Sequence, residues 1–311
     1  MAAFASAPQQ SKPLVLGCGA VSVDYLATVA SFPNPDDKIR SLALKVEGGG
    51  NAGNALTGAA RLGLSPRIIS KELQDDGVDT SYMAIADGGN SPFTYIIVDN
   101  QTKTRTCIHT PGYPPMKPEE LTKENLFAAL HGVDMVYFDV RLHETALLVA
   151  EEASQRKIPI LVDAEKKREG LDDLLNFASY VVCSAKFPQA WTGASSTPVA
   201  LVHMLLRLPN LKLDYCNPGE KGCLMLERSM VFPYIINSSL ALHLNLILSD
   251  KDLESNLRIS ADGVGSMVAG LCTGMPVEKM LPFAAQVAAC GCRALRARTG
   301  LPHLTDPRLS L

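Results

Sequence analysis

The residues best suited to chemistry form one glycine-rich stretch, Gly48-Gly49-Gly50-Asn51-Ala52-Gly53-Asn54, between a strand-like and a helix-like segment. Glycines carry no side chain, so a ligand can approach their backbone closely. The first N–H groups of the following helix favour polar or anionic ligand groups, and the two asparagines can donate and accept hydrogen bonds. A tight turn that binds nothing explains the same glycines, so this stretch alone leaves both interpretations open.

Three aspartates stand at or just past the ends of predicted buried strands. They are Asp24, Asp139 and Asp163. Open α/β sheets bind ligands outside the carboxyl ends of their strands, so these carboxylates are placed to meet a ligand. Asp24 fits a solvated turn carboxylate equally well.

Two charged features are expected to be ordinary surface. Arg105 lies in a predicted hairpin, where a surface charge is commoner than a ligand contact. The run Glu165-Lys166-Lys167-Arg168-Glu169 is more typical of a solvated loop than of a phosphate clamp.

The elements that must position these residues alternate between strand and helix from Val133 to Cys183, which predicts a parallel sheet covered on both faces. Phe93–Val98 and Lys103–His109 predict a β-hairpin, polar enough for a flap or an edge. Lys71–Val78 is short for a parallel crossover.

The later part of the chain is harder to interpret. A buried strand is due at Leu211–Pro218, but Pro218 and its polar neighbours weaken it. Residues 231–256 show no clear pattern, and an alanine-rich helix is expected over Pro282–Thr299.

Composition limits the classes of function. The chain has 311 residues, of which 47% are hydrophobic and 20% charged, as in packed globular proteins. A net charge of −3 predicts no nucleic-acid partner and no anionic-membrane surface, and no apolar run reaches the ~20 residues of a membrane helix.

The termini and cysteines suggest a compartment. Residues 1–13 are expected to form a disordered tail without features of a signal or transit peptide. The eight cysteines lie mostly in apolar runs, without a CxxC pair or a metal-binding pattern. A reducing, cytoplasmic location is expected, with a plastid not excluded.

In this order the motifs resemble those of the ribokinase-like, or pfkB, carbohydrate kinases. Residues 17–24 are similar to the family's first motif, and residues 49–54, followed by Ala59-Ala60-Arg61-Leu62-Gly63, to its N-terminal signature. Gly219-Glu220-Lys221-Gly222 is similar to the nucleotide-site turn. The resemblance extends from about Leu14 to Pro307 and is strongest to plant-type pfkB-like proteins.

The resemblance implies a fold. That fold is a ribokinase-like three-layer α/β/α sandwich over residues 14–311, with a small β-lid from about 25–47 and 91–110. Lid strands in this family often pair between subunits, which implies a possible homodimer.

The resemblance also implies site residues and cofactors. The substrate, a sugar or nucleoside-like molecule, would be held by Asp24, Gly49, Gly50 and Asn54. Gly219 and Gly222 would border ATP, which the family uses with Mg²⁺; no residue of this chain is assigned as a metal ligand.

The chain departs from the family at its catalytic signature, Asp-Thr-x-Gly-Ala-Gly-Asp, whose last aspartate is the general base. The nearest segment, Ala261–Ser266, places Ser266 at the base position, where a serine cannot usefully accept a proton near neutral pH. If the chain is active, the catalytic base would have to be Asp262 or another carboxylate. This segment resembles the strand that normally precedes the signature, so a missing block is predicted before Met275, within an irregular or truncated range 230–275.

Two further departures point the same way. The family's Asn-x-x-Glu falls at Ser184-Ala185-Lys186-Phe187, and Lys71–Val78 suggests another deletion, as in a shortened or alternatively spliced product. Two functions therefore remain open. One is ATP-dependent phosphorylation of a sugar or nucleoside-like hydroxyl, impaired by the missing motif; the alternative is an inactive protein that binds a metabolite or a protein.

Overall fold

A computed structural model describes residues 11–69, 77–83, 88–217, 223–229, 261–292, 298 and 300–309. Its strands are β1 (Leu14–Cys18), β2 (Ser22–Val29), β3 (Ala43–Gly49), β4 (Ser65–Ile69), β5 (Phe93–Asp99), β6 (Arg105–Thr110), β7 (Met135–Phe138), β8 (Ile160–Ala164), β9 (Tyr180–Ser184), β10 (Leu213–Asn217) and β11 (Leu224–Glu227). Seven of them form one sheet in the order β11-β10-β9-β8-β7-β1-β4. The sheet is parallel except at β11, which runs antiparallel to β10.

Helices cover both faces of this sheet. They are α1 (Asn51–Arg61), α2 (Lys123–Ala129), α3 (His143–Gln155), α4 (Leu171–Phe177), α5 (Phe187–Thr192), α6 (Thr197–Arg207), α7 (Ala261–Cys272) and α8 (Val277–Cys292). Alternate strand residues enter two separate cores. One core packs on helices α2 to α6 and the other on α1, α7 and α8. This is the three-layer α/β/α sandwich predicted from the sequence.

The remaining four strands form the lid, a separate sheet in the order β3-β2-β5-β6. The predicted hairpin is confirmed as β5 and β6. Because side chains alternate along a strand, one face of the lid carries Asp24, Thr94 and His109 in register across three strands. The opposite face carries Tyr25 and Tyr95, whose ring centroids are 5.6 Å apart.

Three expectations need correction. Ala261–Ser266 is not a strand but the first half of α7, so the described part of 230–275 contains a regular helix. The strand at β10 pairs with β9 over its whole length despite Pro218 beyond its end. The alanine-rich helix begins at Val277, five residues before the proline expected to start it, with Pro282 inside the helix.

The carboxylate of Asp139 joins three segments of the chain. It follows β7 directly and is buried. One oxygen accepts the N–H groups of Ala20 at 2.8 Å and Ala52 at 3.1 Å, and the other accepts that of Arg141 at 3.1 Å. A side chain at Gly19 would lie 2.2 Å from this carboxylate, which explains the glycine. The turn after β1, the start of α1 and the end of β7 are therefore held by one group.

No helix among the described residues combines the length and apolar character needed to cross a bilayer.

Replacing Asp139 by asparagine should destabilise the fold. Three N–H groups now share the two carboxylate oxygens of Asp139, whereas asparagine has only one acceptor oxygen. An unpaired buried donor costs about 1–3 kcal/mol. The free energy of unfolding from urea titration at pH 7 should fall, but by less than this loss alone, because burial, which raises the Asp139 pKa to about 6, disfavours the ionised carboxylate that asparagine replaces. Asp134→Asn is the control, because this carboxylate accepts the N–H of Leu14 at an exposed position where water can substitute. Equal losses in both variants would contradict the role given to Asp139.

Candidate functional site

A cavity of about 770 Å³ lies between the inner face of the lid and the carboxyl edge of the large sheet. Three of the four predicted substrate residues line it, namely Asp24, Gly50 and Asn54. The fourth, Gly49, lies beside Asp24 but does not line the cavity. The structure thus brings together at one site residues that are up to 30 positions apart in sequence.

The three consecutive glycines each make room for a protein group. An added Cβ would lie 2.2 Å from the Arg298 guanidinium at Gly48, 2.3 Å from the Asp24 carboxylate at Gly49, and 2.5 Å from the Ala20 carbonyl oxygen at Gly50. Gly50 also has a φ of +85°, which residues with side chains rarely adopt. The glycine stretch therefore packs against the protein itself, and only Gly50 among these three reaches the cavity.

The N-terminus of α1 is less available to a ligand than the sequence suggested. The N–H of Ala52 is bonded to Asp139, and that of Gly53 points to the Ala20 carbonyl at 3.4 Å. Two amide groups of the first turn are thus already used within the protein. What α1 presents to the cavity is the Asn51 and Asn54 side chains.

Asp24 begins a chain of polar groups on the lid. Its carboxylate accepts a hydrogen bond from Ser22 Oγ at 3.2 Å and another from the Thr94 hydroxyl. Thr94 Oγ1 is also 3.2 Å from His109 Nδ1. Because the single hydroxyl proton goes to the ionised carboxylate, Nδ1 must be the donor to Thr94, which leaves Nε2 of a neutral His109 as an acceptor.

Two pKa shifts fit this arrangement. Burial raises the pKa of Asp24, against the lowering effect of the Ser22 and Thr94 hydrogen bonds and of the Arg298 and Arg105 charges. Partial burial, with the charge of Arg141, lowers the pKa of His109. His109 is therefore neutral at pH 7.

Arg298 is a site residue that the sequence did not single out. Its buried guanidinium donates from Nε to Asn54 Oδ1 at 2.9 Å and from Nη2 to the Gly49 carbonyl at 2.9 Å. Arg61 at the end of α1 in turn donates to the carbonyls of Arg298 and Leu301. With Oδ1 turned to Arg298, the Asn54 amide keeps its N–H donors for the cavity, whose wall it forms.

Comparison with known proteins defines the relationship. A model of the pfkB family of carbohydrate kinases matches residues 12–235, more than half of the chain. The chain belongs to the pfkB carbohydrate kinase family. The fold agrees, since the structure of a putative ribokinase from Agrobacterium tumefaciens superposes with a TM-score of 0.76 at 22% identity, over 94% of this chain and 95% of that one.

Other relatives are more distant or only partly matched. Ketohexokinase from Mus musculus is 27% identical over 190 residues, which are 55% of this chain and 63% of that enzyme. The chain therefore matches less than two thirds of this relative. The structure of Arabidopsis thaliana ribokinase with ribose and ATP has a TM-score of 0.69 at 13% identity, covering 95% of this chain and 97% of that one.

At the segment predicted to stand nearest to the pfkB catalytic signature, the described side chain of Ser266 does not line the cavity. Ser266 is fully buried within α7, and its hydroxyl donates to the Gly263 carbonyl at 2.6 Å. Gly265 lies against α1, since an added Cβ would be 2.5 Å from the Ala55 carbonyl oxygen. Asp262 is part of the same helix, but the position of its side chain lies outside the description. The predicted base position is thus a helix-packing position.

The predicted nucleotide turn, with Gly219 and Gly222, and the short link Lys71–Val78 fall mostly outside the described residues. Among those that are described, no three His, Cys, Asp or Glu side chains cluster as metal ligands. Ser184, at the position predicted for the family's Asn-x-x-Glu, donates its hydroxyl to the Glu165 carbonyl.

Asp139 and Asp163, at the carboxyl edge of the large sheet, are buried and bond to other groups of the protein. Burial raises the pKa of Asp139 to about 6 and that of Asp163 to about 7, the latter also through the charge of Asp139. Tyr137 donates its hydroxyl to Asp163 at 3.3 Å. Neither aspartate lines the cavity.

Replacing Arg298 by methionine should lower the free energy of unfolding, and it should weaken the binding of a ligand in the cavity that Asn54 lines. Methionine keeps an apolar stem but no donor, so the Asn54 and Gly49 oxygens each lose a buried partner at about 1–3 kcal/mol. Urea titration should show the loss. In a double-mutant cycle with Asn54→Ala, the coupling should exceed about 0.5 kcal/mol.

Arg308→Met is the matched control, because Arg308 pairs with Asp306 at an exposed position in the same C-terminal segment. An equal loss there, or no coupling between Arg298 and Asn54, would show that Arg298 does not position Asn54.

Proposed function

We propose that this pfkB-family chain binds a sugar or nucleoside-like acceptor in the cavity under the lid, and that ATP-dependent phosphorylation of an acceptor hydroxyl there is impaired. The observation that carries the proposal is the convergence of Asp24, Gly50 and Asn54 on one cavity between the lid and the sheet edge.

The cavity suits a molecule rich in hydroxyl groups. Asp24 accepts hydrogen bonds through a carboxylate that is part-buried, where such bonds are stronger than in water. Asn54 donates through its amide, and His109 Nε2 supplies a further acceptor on the lid. Acceptors and donors that alternate around a concave pocket are suited to hydroxyl groups, which need both.

In this family ATP supplies the phosphoryl group and is used together with Mg²⁺. The described residues provide no set of carboxylates for Mg²⁺, since Ser184 and Phe187 stand where the family has its polar pair. The magnesium assignment therefore rests on the family resemblance alone, and no catalytic step is assigned to the ion.

The proposal that phosphoryl transfer is impaired is supported by Ser266, which stands at the predicted position of the general base. Losing a general base costs about 10²–10⁴-fold in rate, and a serine bonded to its own helix cannot replace a carboxylate. This observation also favours the second candidate, a protein that binds the same acceptor without turnover.

The test is phosphoryl transfer by purified protein with Mg²⁺–ATP and a panel of sugars and nucleosides, with melting shifts recorded on the same samples. Asp24→Asn should lower acceptor affinity roughly 10- to 100-fold, because a charged hydrogen-bond acceptor becomes neutral. Asp36→Asn is the control, since this exposed residue has a φ of +66° that asparagine tolerates.

The outcomes separate the two candidates. Turnover that Asp24→Asn reduces would establish the kinase. An Asp24-dependent melting shift without turnover would establish the binding protein. Acceptor binding that is unchanged in Asp24→Asn would refute the proposed site.

We also propose that two copies pair through the outer face of the lid. Val46, Tyr25, Tyr95 and Ile108 stand in register across all four strands there, and Leu44 is 64% exposed. A continuous exposed apolar sheet face is unusual in a monomer, and a two-fold axis would cover the same patch on both copies.

Introducing a charge on this face, as in Val46→Lys, should shift the protein towards monomer in sedimentation at micromolar concentration. Leu206→Lys, at an exposed apolar position of α6, should leave the association unchanged. A wild-type protein that sediments as a monomer across the concentration range would refute the dimer.

A further inference from the structure

The cavity carries an excess of positive charge that the proposed acceptor site does not use. Among the described residues that line it, four are cationic, against the two carboxylates Asp24 and Glu165. The four are Arg105, Arg141, Lys166 and Arg168. We propose that the acceptor itself carries a phosphate or carboxylate group, and that these four side chains bind it. This inference rests on the proposed acceptor site and specifies the chemistry of its ligand.

The first evidence is the arrangement at the sheet side. Arg141, after β7, and Arg168, after β8, both contact one oxygen of Glu165, from their Nη2 atoms at 3.1 Å and 3.4 Å. A guanidinium has five N–H donors. Within the described part of the chain, Glu165 is the one side chain that either guanidinium bonds, so further donors of both remain for a ligand.

The second evidence is the placement of the other two cations. Lys166 stands next to Glu165 at the cavity wall, and Arg105 faces it from the lid. Neither forms an ion pair with another described residue. Arg105 acts on Asp24 through its charge alone, which offsets a small part of the rise that burial causes in the pKa of that carboxyl.

The charge of Arg141 on the sheet side reaches the lid. Partial burial and then the charge of Arg141 lower the pKa of His109 on the lid, while the charge of Asp24 acts in the opposite direction. Solvated surface cations normally spread apart, because like charges repel. Cations gathered around a concave site focus a positive potential that attracts anions. The run Glu165–Glu169 was predicted from the sequence to be a solvated loop. Three of its residues, Glu165, Lys166 and Arg168, instead line the cavity.

The position of these cations favours the acceptor over the nucleotide. Arg141 and Arg168 follow β7 and β8, whereas the predicted nucleotide turn follows β10, two strands beyond β8. Neighbouring strands are about 4.8 Å apart, so the end of β10 lies roughly 10 Å from the end of β8 and 14 Å from that of β7. Arg105 extends from the same lid face as Asp24, which is the proposed acceptor residue.

The test compares matched neutral and anionic probes by calorimetry on the full chain. The pairs are ribose with ribose 5-phosphate and glucose with gluconate, with inorganic phosphate and Mg²⁺–ATP as separate arms. At least one anionic probe should bind at least tenfold tighter than its neutral partner, and its affinity should fall as NaCl increases.

Lys166→Gln and Arg105→Gln should each weaken that anionic probe roughly 10- to 100-fold, as expected when a charged hydrogen bond is lost. Lys167→Gln is the matched control, because Lys167 belongs to the same charged run but does not line the cavity. Melting temperatures without ligand check that each variant is folded. Lys166 and Arg105 sit on different elements, so a folding defect in one variant leaves the other informative.

Three results would overturn the inference. They are equal affinities for the neutral and anionic members of both pairs, an effect of Lys167→Gln as large as that of Lys166→Gln, or losses confined to Mg²⁺–ATP. Anion binding without phosphoryl transfer would leave the inference standing while catalysis by the chain fails, so the two claims fail separately.

Discussion

The structure depends on a single buried carboxylate. Asp139 accepts backbone N–H groups from three segments of the chain, and through Ala20 and Ala52 its carboxylate connects the turn after β1 to the start of α1. The next residue, Val140, has a φ of +60°, a conformation that costs a β-branched residue about 1–3 kcal/mol. The bond from Arg141 N–H to Asp139 closes this turn, and it directs the Arg141 side chain to the cavity wall. The Asp139 carboxylate therefore fixes the backbone on one side of the cavity, and it also positions Arg141, one of the positive charges in the cavity wall.

Much of the architecture could be predicted from the sequence. Strands such as β7 and β8 are short apolar runs that end in aspartate, and the β5–β6 hairpin alternates around a polar turn. The helix α7 was also predictable, because Val264, Met267, Val268 and Leu271 follow helical spacing. Comparison with the family motif suggested a strand there instead, and that interpretation was wrong.

The site was predictable only where its residues belong to local motifs. Asp24, Gly50 and Asn54 stand in recognisable stretches, and they do line the cavity. Arg298 and Arg141 could not be found in this way, because each reaches the site through tertiary packing that no local pattern records. The same holds for the glycines. The glycine spacing indicates that something approaches the backbone closely at Gly48 and Gly49. It does not show that the side chains of Arg298 and Asp24, rather than a ligand, occupy this space.

Arg298 also has a consequence for how the protein is made. The residues that it contacts on the glycine stretch are 244 and 249 positions earlier in the chain. At 5–20 residues per second, a ribosome needs roughly 10–50 s to synthesise the intervening chain. Throughout that time the glycine stretch is present without the arginine that fills the space beside Gly48. The native contacts of Arg298 with Asn54 and Gly49 can therefore form only after nearly the whole chain has been synthesised.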